Sequence, residues 1–314
     1  MLVHLGREVP RLDILLYHSF AYPLLQVEPS RLRKVFGVVR GMEIQLVNGG
    51  AVEVKNARGS DAVVKRVVEE LMGCWCSAYN TFSNVSEKIR RRIRELVKVY
   101  SWMGVSTSSL DDVALFAAIA LSRNTDFHRN VVSWMRKLLS RFDDISEVAN
   151  LSEDSVVSIV GAASYQLRQL PAMLRAYLEA RAVISEGRNP SRVRYVRRVL
   201  MSRIPFAGPK VVDSVLLFIV KNPLYAPVDK NLVKFIELMD LVDVLGTRVP
   251  EKSLCLKYDC DACPKRSDCI SNLGREAMGR FFAVFQSIAY THIGLWCRRE
   301  LCSECPLRGM CRRS

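Results

Sequence analysis

The stretch Ile204-Pro205-Phe206-Ala207-Gly208-Pro209-Lys210, running into Val211-Val212-Asp213-Ser214-Val215-Leu216-Leu217-Phe218, decides the fold. A Gly/Pro turn here links an arginine-rich helical segment, Ser191 to Met201, to an apolar helix beginning at Lys210. A tight turn at a helix start offers unsatisfied N–H groups and the positive end of the helix dipole, so a phosphodiester can sit there without any base being read. Lys210 occupies the first turn of that helix. The dipole and partial burial both disfavour its ammonium form, which makes it a candidate amine nucleophile. Nineteen residues later, Asp229 stands in Ala226-Pro227-Val228-Asp229-Lys230-Asn231, just ahead of the next helical segment. Taken singly, a lysine at a helix start is usually solvated and an aspartate before a helix is usually an N-cap. Their shared context raises both to catalytic candidates.

Working outward, the chain carries 46 Lys or Arg against 32 Asp or Glu, a formal charge of +14 over 314 residues, so a polyanion is the expected partner. With 49% hydrophobic residues the chain can build a large core, which excludes a disordered or collagen-like protein. The longest apolar run, Val113 to Leu121, falls far short of the roughly 18 to 20 residues that cross a bilayer. His4, Arg7, Glu8 and Arg11 interrupt any signal peptide. The expectation is a cytoplasmic, nucleoid-associated monomer with no membrane partner.

Eight of the ten cysteines form two tetrads. Cys255, Cys260, Cys263 and Cys269 are separated by four, two and five residues; Cys297, Cys302, Cys305 and Cys311 repeat the spacing, and Pro264 and Pro306 follow the third cysteine of each. Four thiolates in so short a loop suit tetrahedral zinc or a cubane iron–sulfur cluster. A single C-x-x-C per tetrad, flanked by the outer cysteines, favours the cluster over the paired knuckles of a zinc ribbon. Two disulfides per tetrad remain the alternative. Cys74 and Cys76 lack two further ligands nearby and receive no function.

The pattern along the chain is α+β and mostly α. Residues 1–85 mix short apolar runs (Asp13 to Leu16, Val35 to Val39, Glu43 to Val47, Ala51 to Val54) with a hairpin signal at Asn48-Gly49-Gly50, then a helical face of Val63, Val64, Val67, Val68 and Leu71. This predicts a small antiparallel sheet with a helix on it. Residues 86–250 read as an all-helical core, with segments at Glu87 to Tyr100, Asp111 to Leu121, Asn130 to Phe142, Asp154 to Ile159, Gln169 to Val183, Ser191 to Met201, Lys210 to Ile219 and Lys230 to Met239. Residues 251–275 are the first cysteine loop, an insertion, and residues 276–314 a long helix, Glu276 to Leu295, with the second loop. Arg188 to Arg203 holds six arginines and no acid and leads into the hairpin; the basic run from Glu87 to Lys98 reads as a solvated helix face.

Helix, hairpin, lysine, apolar helix and Pro-Val-Asp together resemble the helix-hairpin-helix DNA glycosylase superfamily. Ala120-Leu121-Ser122-Arg123-Asn124-Thr125-Asp126 is similar to its Leu-Ser-Gln-x-Thr-Asp signature, and Gly161-Ala162-Ala163-Ser164-Tyr165 to its Gly-x-Gly-Tyr turn. The terminal tetrad, placed after a long helix, resembles the [4Fe–4S] loop of the endonuclease III and adenine glycosylase branches. The sheet-like first domain resembles that of 8-oxoguanine and alkyladenine glycosylases: His18-Ser19-Phe20-Ala21-Tyr22 is similar to the Gln-Ser-Phe-Arg-Trp element of the former, and Gly208-Pro209-Lys210-Val211-Val212-Asp213 to its Gly-Thr-Lys-Val-Ala-Asp. The chain departs from the pattern at Phe206, where the family has the hairpin's first glycine, at Arg123 in place of glutamine, and at Asn231 in place of histidine. The gap opening the second tetrad is shorter than the family's, and the first tetrad has no counterpart in it.

The resemblance implies a bifunctional DNA glycosylase and abasic-site lyase of base excision repair acting on damaged double-stranded DNA. Lys210 would be the nucleophile and Asp229 its partner, and Arg123, Asn124, Tyr165, Phe206, Ala207, Gly208 and Asn231 would contact DNA, although Tyr165, Phe206 and Trp102 read by themselves as packing aromatics rather than wedges. A [4Fe–4S] cluster would occupy the second tetrad, and a second cluster or zinc the first. An oxidised purine of the 8-oxoguanine type is the favoured lesion. The alternatives are an endonuclease III-like enzyme for oxidised pyrimidines and a non-catalytic iron–sulfur DNA-binding protein.

Overall fold

The computed structural model describes residues 1–47 and 50–311, without the side chains of Asn84 and Lys88. Five strands, β1 (Leu2–His4), β2 (Leu25–Val27), β3 (Arg31–Lys34), β4 (Glu43–Val47) and β5 (Ala51–Lys55), form one antiparallel sheet in the order β1-β5-β4-β3-β2. β4 and β5 pair from Glu43↔Lys55 to Val47↔Ala51, as the hairpin signal requires. Asn48 and Gly49 of that turn lie outside the described residues. Gly50 holds φ +70, and a Cβ there would press on the Arg7 carbonyl, so the position needs glycine. Helix α1 (Asp61–Leu71) buries Val64, Val67, Val68 and Leu71, three or four residues apart on one face.

Two of the short apolar runs are not strands. Leu12–Leu15 is a buried helical turn, and the run Val35 to Val39 is a turn that ends with Val39 at φ +54. Four or five apolar residues carry no usable period, so burial there is legible but conformation is not.

Among the described residues, ten further helices of eight residues or more follow: α2 (Glu87–Val99), α3 (Asp112–Leu121), α4 (Val132–Arg141), α5 (Glu153–Val160), α6 (Tyr165–Glu186), α7 (Val193–Arg203), α8 (Pro209–Phe218), α9 (Lys230–Leu238), α10 (Ile270–Met278) and α11 (Phe281–Leu295). α8 packs between α7 and α3, α6 lies on α3, and α9 lies along α11. α3 and α8 are buried nearly all round, which explains why their sequences show apolar runs rather than a stripe. α6 starts four residues before its expected position because Ser164 caps it by accepting the Gln166 N–H; Pro171 then lies inside the helix at the cost of one ladder bond. The single helix expected from Glu276 to Leu295 is two: Gly279 at φ +53 breaks the ladder between α10 and α11.

Asp111, at the N-cap position of α3, makes no side-chain cap. Its Oδ2 instead receives Lys34 Nζ at 2.5 Å and its Oδ1 the Val38 N–H at 2.7 Å, both partners of the ion pair being buried. The pair ties β3 to the helical body. Removing one member would strand the other charge, at a cost of about 3 to 5 kcal/mol.

Candidate active site

Helices and turns of the helical body, with His18 and Phe20 from the N-terminal part, surround a cleft of about 1320 Å³ that gathers residues far apart in the sequence. Lys210 and Asp229 both line it, as do Arg123, Asn124, Tyr165, Phe206, Gly208 and Asn231. Of the residues expected to contact DNA, Ala207 alone does not: its side chain is buried under the hairpin and its N–H donates to the Ile204 carbonyl at 3.3 Å.

The hairpin achieves its turn without its first glycine. Phe206 itself adopts φ +60, the left-handed conformation that costs an ordinary residue about 1 to 2 kcal/mol, and its ring is 54% exposed on the rim. Gly208 then caps α8 with no side chain of its own, and Pro209 supplies a first-turn residue that has no N–H to satisfy. The start of α8 is therefore left open toward the cleft. Tyr165 is 48% exposed, so neither it nor Phe206 is a packing aromatic; the Arg123 guanidinium lies 5.8 Å from the Tyr165 ring and 5.9 Å from that of Phe206. Gln166 Nε2 donates to the Arg123 carbonyl at 2.6 Å, tying the Arg123 turn to the start of the helix that carries Tyr165. Trp102 is half-buried and donates to the Val99 carbonyl, away from the cleft.

Lys210 Nζ is 3.5 Å from the Ser122 carbonyl. Burial pulls its pKa below the ordinary lysine value, Asp229 offsets part of that pull, and Lys230 adds to it. Asp229 caps α9 by accepting the Leu232 N–H at 2.9 Å. Burial lifts its carboxyl above the ordinary aspartate value, against the opposing effect of Lys210 and the backbone N–H groups. The cap and the catalytic candidate are thus one residue: the first role fixes the carboxylate in place for the second. Lys230, Lys234 and Arg298 add positive charge to the lining, against Asp126 and Glu237.

Arg298 was not legible in the sequence as a cleft residue. It follows Cys297 directly, and its guanidinium reaches Asn231 Oδ1 at 2.9 Å and Asp126 Oδ2 at 3.4 Å. Asn231, two residues after Asp229, is itself buried with its amide oxygen held by this arginine. The only sequence signal was a pair of arginines inside the second tetrad.

The tetrads lie outside the cleft lining. In the second, the Cys297 thiol is raised by burial and by Cys305, Cys311 and Cys302, so these three cysteines are within electrostatic reach of Cys297. His292 Nε2 stands 3.6 Å from Cys305 Sγ while its Nδ1 meets the Tyr100 hydroxyl at 2.7 Å. In the first, burial raises the Cys269 thiol, with Cys260 and Cys263 adding to it. Arginines of α7 face this loop: Arg194 pairs with Asp261 at 2.6 Å, and Arg197 lies against Cys255 while holding both oxygens of Asp213 at 2.6 and 3.0 Å. Among the described residues no two cysteines are joined by a disulfide. Among the described residues, no group of three or more His, Cys, Asp or Glu side chains is gathered as a metal centre. The donor set of each loop, four sulfurs with a cationic or imidazole neighbour, is nevertheless what thiolate-bound zinc or iron requires.

No protein-family model matches the sequence, and no curated protein matches it either. Solved structures do. The 8-oxoguanine glycosylase/lyase of Clostridium acetobutylicum, in complex with double-stranded DNA containing cytosine opposite 8-oxoguanine, superposes with a TM-score of 0.63 at 12% identity over 90% of this chain and 91% of its own. Its apo form gives 0.64 at 13% identity over 89% and 92%. A 3-methyladenine DNA glycosylase from Archaeoglobus fulgidus gives 0.66 at 13% identity over 94% and 99%. The sheet packed on a helical body, with the hairpin between α7 and α8, is therefore the fold of these DNA glycosylase structures.

Proposed function

We propose that this chain is a DNA glycosylase with abasic-site lyase activity, excising an oxidised base, with an 8-oxoguanine-type purine as the favoured lesion. The observation that supports it most is the meeting of Lys210 and Asp229 in one cleft, the lysine with its pKa pulled down by burial and the aspartate locked as a helix cap. The open start of α8 and the basic lining suit the phosphates on either side of an extruded nucleotide.

In this reading Nζ of neutral Lys210 attacks C1′ as the glycosidic C1′–N bond breaks and the base departs with the bonding pair. The Asp229 carboxylate stabilises the positive charge that develops on the sugar and relays the proton lost from Nζ to the departing base. Ring opening gives a Schiff base between Nζ and C1′. Loss of a C2′ proton then expels the 3′ phosphate by β-elimination, and water releases the lysine. A water-only glycosylase would need the aspartate and have no use for a depressed lysine.

For the tetrads, we propose that Cys297, Cys302, Cys305 and Cys311 hold a [4Fe–4S] cluster and that Cys255, Cys260, Cys263 and Cys269 hold a second cluster or zinc. When bound, such a group would fix its loop as a structural cross-link. Arg298, next to Cys297, would carry that order into the cleft.

Base release from duplexes bearing single defined lesions tests the proposal. Release of 8-oxoguanine followed by strand nicking is expected; release of thymine glycol alone would move the chain to oxidised pyrimidines, and lesion binding with no release of any base would favour a non-catalytic DNA-binding protein.

A further inference from the structure

Among the described residues, three large apolar side chains are both exposed and part of the cleft lining: Tyr165, Phe206 and Val249, at 48%, 54% and 47%. The first two lie around the Arg123 guanidinium. Val249 belongs to another part of the chain: with Pro250, which also lines the cleft, it stands between α9 and the first cysteine loop, the loop that has no counterpart in the glycosylase pattern. Val233 of α9 adds a third apolar side chain to this part of the lining. Apolar surface left open inside a cleft is stabilised by being covered, so the group points to a partner with apolar faces of its own.

The segment ahead of Val249 is strapped to the cysteine loop. The Arg248 N–H donates to the Asp268 carbonyl at 3.1 Å and the Arg248 carbonyl accepts the Ile270 N–H at 3.0 Å, so Arg248 and Cys269 form a parallel bridge. Asp268 Oδ1 also accepts the Thr247 N–H at 3.0 Å. Gly246 makes this approach possible: it holds φ +71, and a Cβ there would stand 2.4 Å from the Asp268 carbonyl oxygen. On the far side of Pro250, the helical turn Lys252–Lys257 carries Cys255. Val249 and Pro250 are thus held between two anchors, at the last and the first cysteine of the tetrad. Ile270, fully buried at the start of α10, roots the Cys269 anchor in the helical body.

We propose that Val249 and Pro250 pack on the apolar sugar and base faces of the lesion-bearing strand, and that the first cysteine loop serves to hold them at the cleft. This rests on the glycosylase reading above and adds to it a contact from a segment outside the matched motifs. The chemistry of the pair suits those faces and not phosphate: neither side chain has a polar atom, and Pro250 has no N–H to donate. Phosphates are served instead by Lys230 and Lys234, which line the same cleft from α9. A metal centre on the loop would tighten both anchors together, because Cys255 and Cys269 would share it.

The test is equilibrium binding of a duplex carrying a tetrahydrofuran abasic analogue, over a series of salt concentrations, to wild type, Val249→Ser, Gly246→Ala and the double variant. Val249→Ser is expected to lower affinity by about fivefold, since about half of a valine side chain is open to be buried. The slope of log affinity against log salt should stay at the wild-type value, because no phosphate contact is lost. Gly246→Ala, which forces the strap away from Asp268, should cause a similar loss, and the double variant little more than either alone. Val249→Ser changes an exposed side chain and keeps its fold, so it decides the contact even where Gly246→Ala does not fold. Unchanged affinity in Val249→Ser overturns the contact. A loss accompanied by a shallower salt slope also overturns it, since the residue would then act by placing Lys230 and Lys234. Fully additive losses in the double variant overturn the role given to the loop. Wild type with no affinity for the duplex fails at the earlier step, the glycosylase reading, and is recognised as such before any variant is compared.

Discussion

Arg298 donates to the side-chain oxygen of Asn231 across 2.9 Å, so the residue that follows Cys297 holds the first turn of the helix capped by Asp229. A cysteine loop outside the cleft and the carboxylate within it are therefore one arginine apart.

Removal of metal should reach DNA through that arginine. Anaerobically purified protein is expected to be brown, with iron and sulfide for two clusters, or for one cluster with one zinc. Stripping the metal should weaken duplex binding about tenfold, and Arg298→Ala should do the same. Anisotropy titrations of both, singly and combined, check the coupling: the two losses are expected to be less than additive, because each removes the same contact. Colourless protein with two zincs would contradict the cluster assignment.

Asp229→Asn separates the two roles of that residue. Asparagine caps helices as well as aspartate does, so α9 and the melting temperature should be kept. The negative charge at the reacting sugar is lost, and base release should slow by about 10²- to 10⁴-fold. Single-turnover excision beside a thermal melt reads both.

Arg197→Ala should be among the most damaging substitutions away from the cleft. It leaves Asp213 buried without its bidentate partner and detaches α7 from α8, at an expected cost of about 3 to 5 kcal/mol in denaturant unfolding. Arg203→Ala, an exposed position on the same helix, should cost little by comparison.

How much of this was legible beforehand follows from what each feature depends on. The hairpin, Lys210 and Asp229 sit in local patterns, a turn before an apolar helix and an acid before the next, and local patterns survive without an alignment. The arginines of α7 were legible as a run but not in their direction. Only the folded chain turns Arg194 and Arg197 toward Asp261, Asp213 and Cys255 rather than toward the cleft. Phe206 could not be read as a left-handed residue, because its ring argues for packing and only the tertiary turn imposes φ +60. Arg298 reaches Asp126 and Asn231 from the far end of the chain, which no local spacing records.

The pH dependence of covalent trapping should reflect both perturbed groups. Asp229, raised by burial, must ionise, and Lys210, lowered by burial, must lose a proton; both changes favour reaction as pH rises. The trapping rate is therefore expected to climb from acid through neutral pH and to level off below the ordinary lysine pKa of about 10.4. A rate still climbing steeply at that value would mean that Lys210 is not depressed.

The central claim is that Nζ of Lys210 bonds to the sugar. Borohydride reduction during reaction with a lesion duplex should trap a stable protein–DNA adduct in wild type. In Lys210→Gln it should trap none while duplex affinity stays nearly intact, since one charge among many phosphate contacts is a small loss. Adduct formed by Lys210→Gln at the wild-type rate would contradict the account.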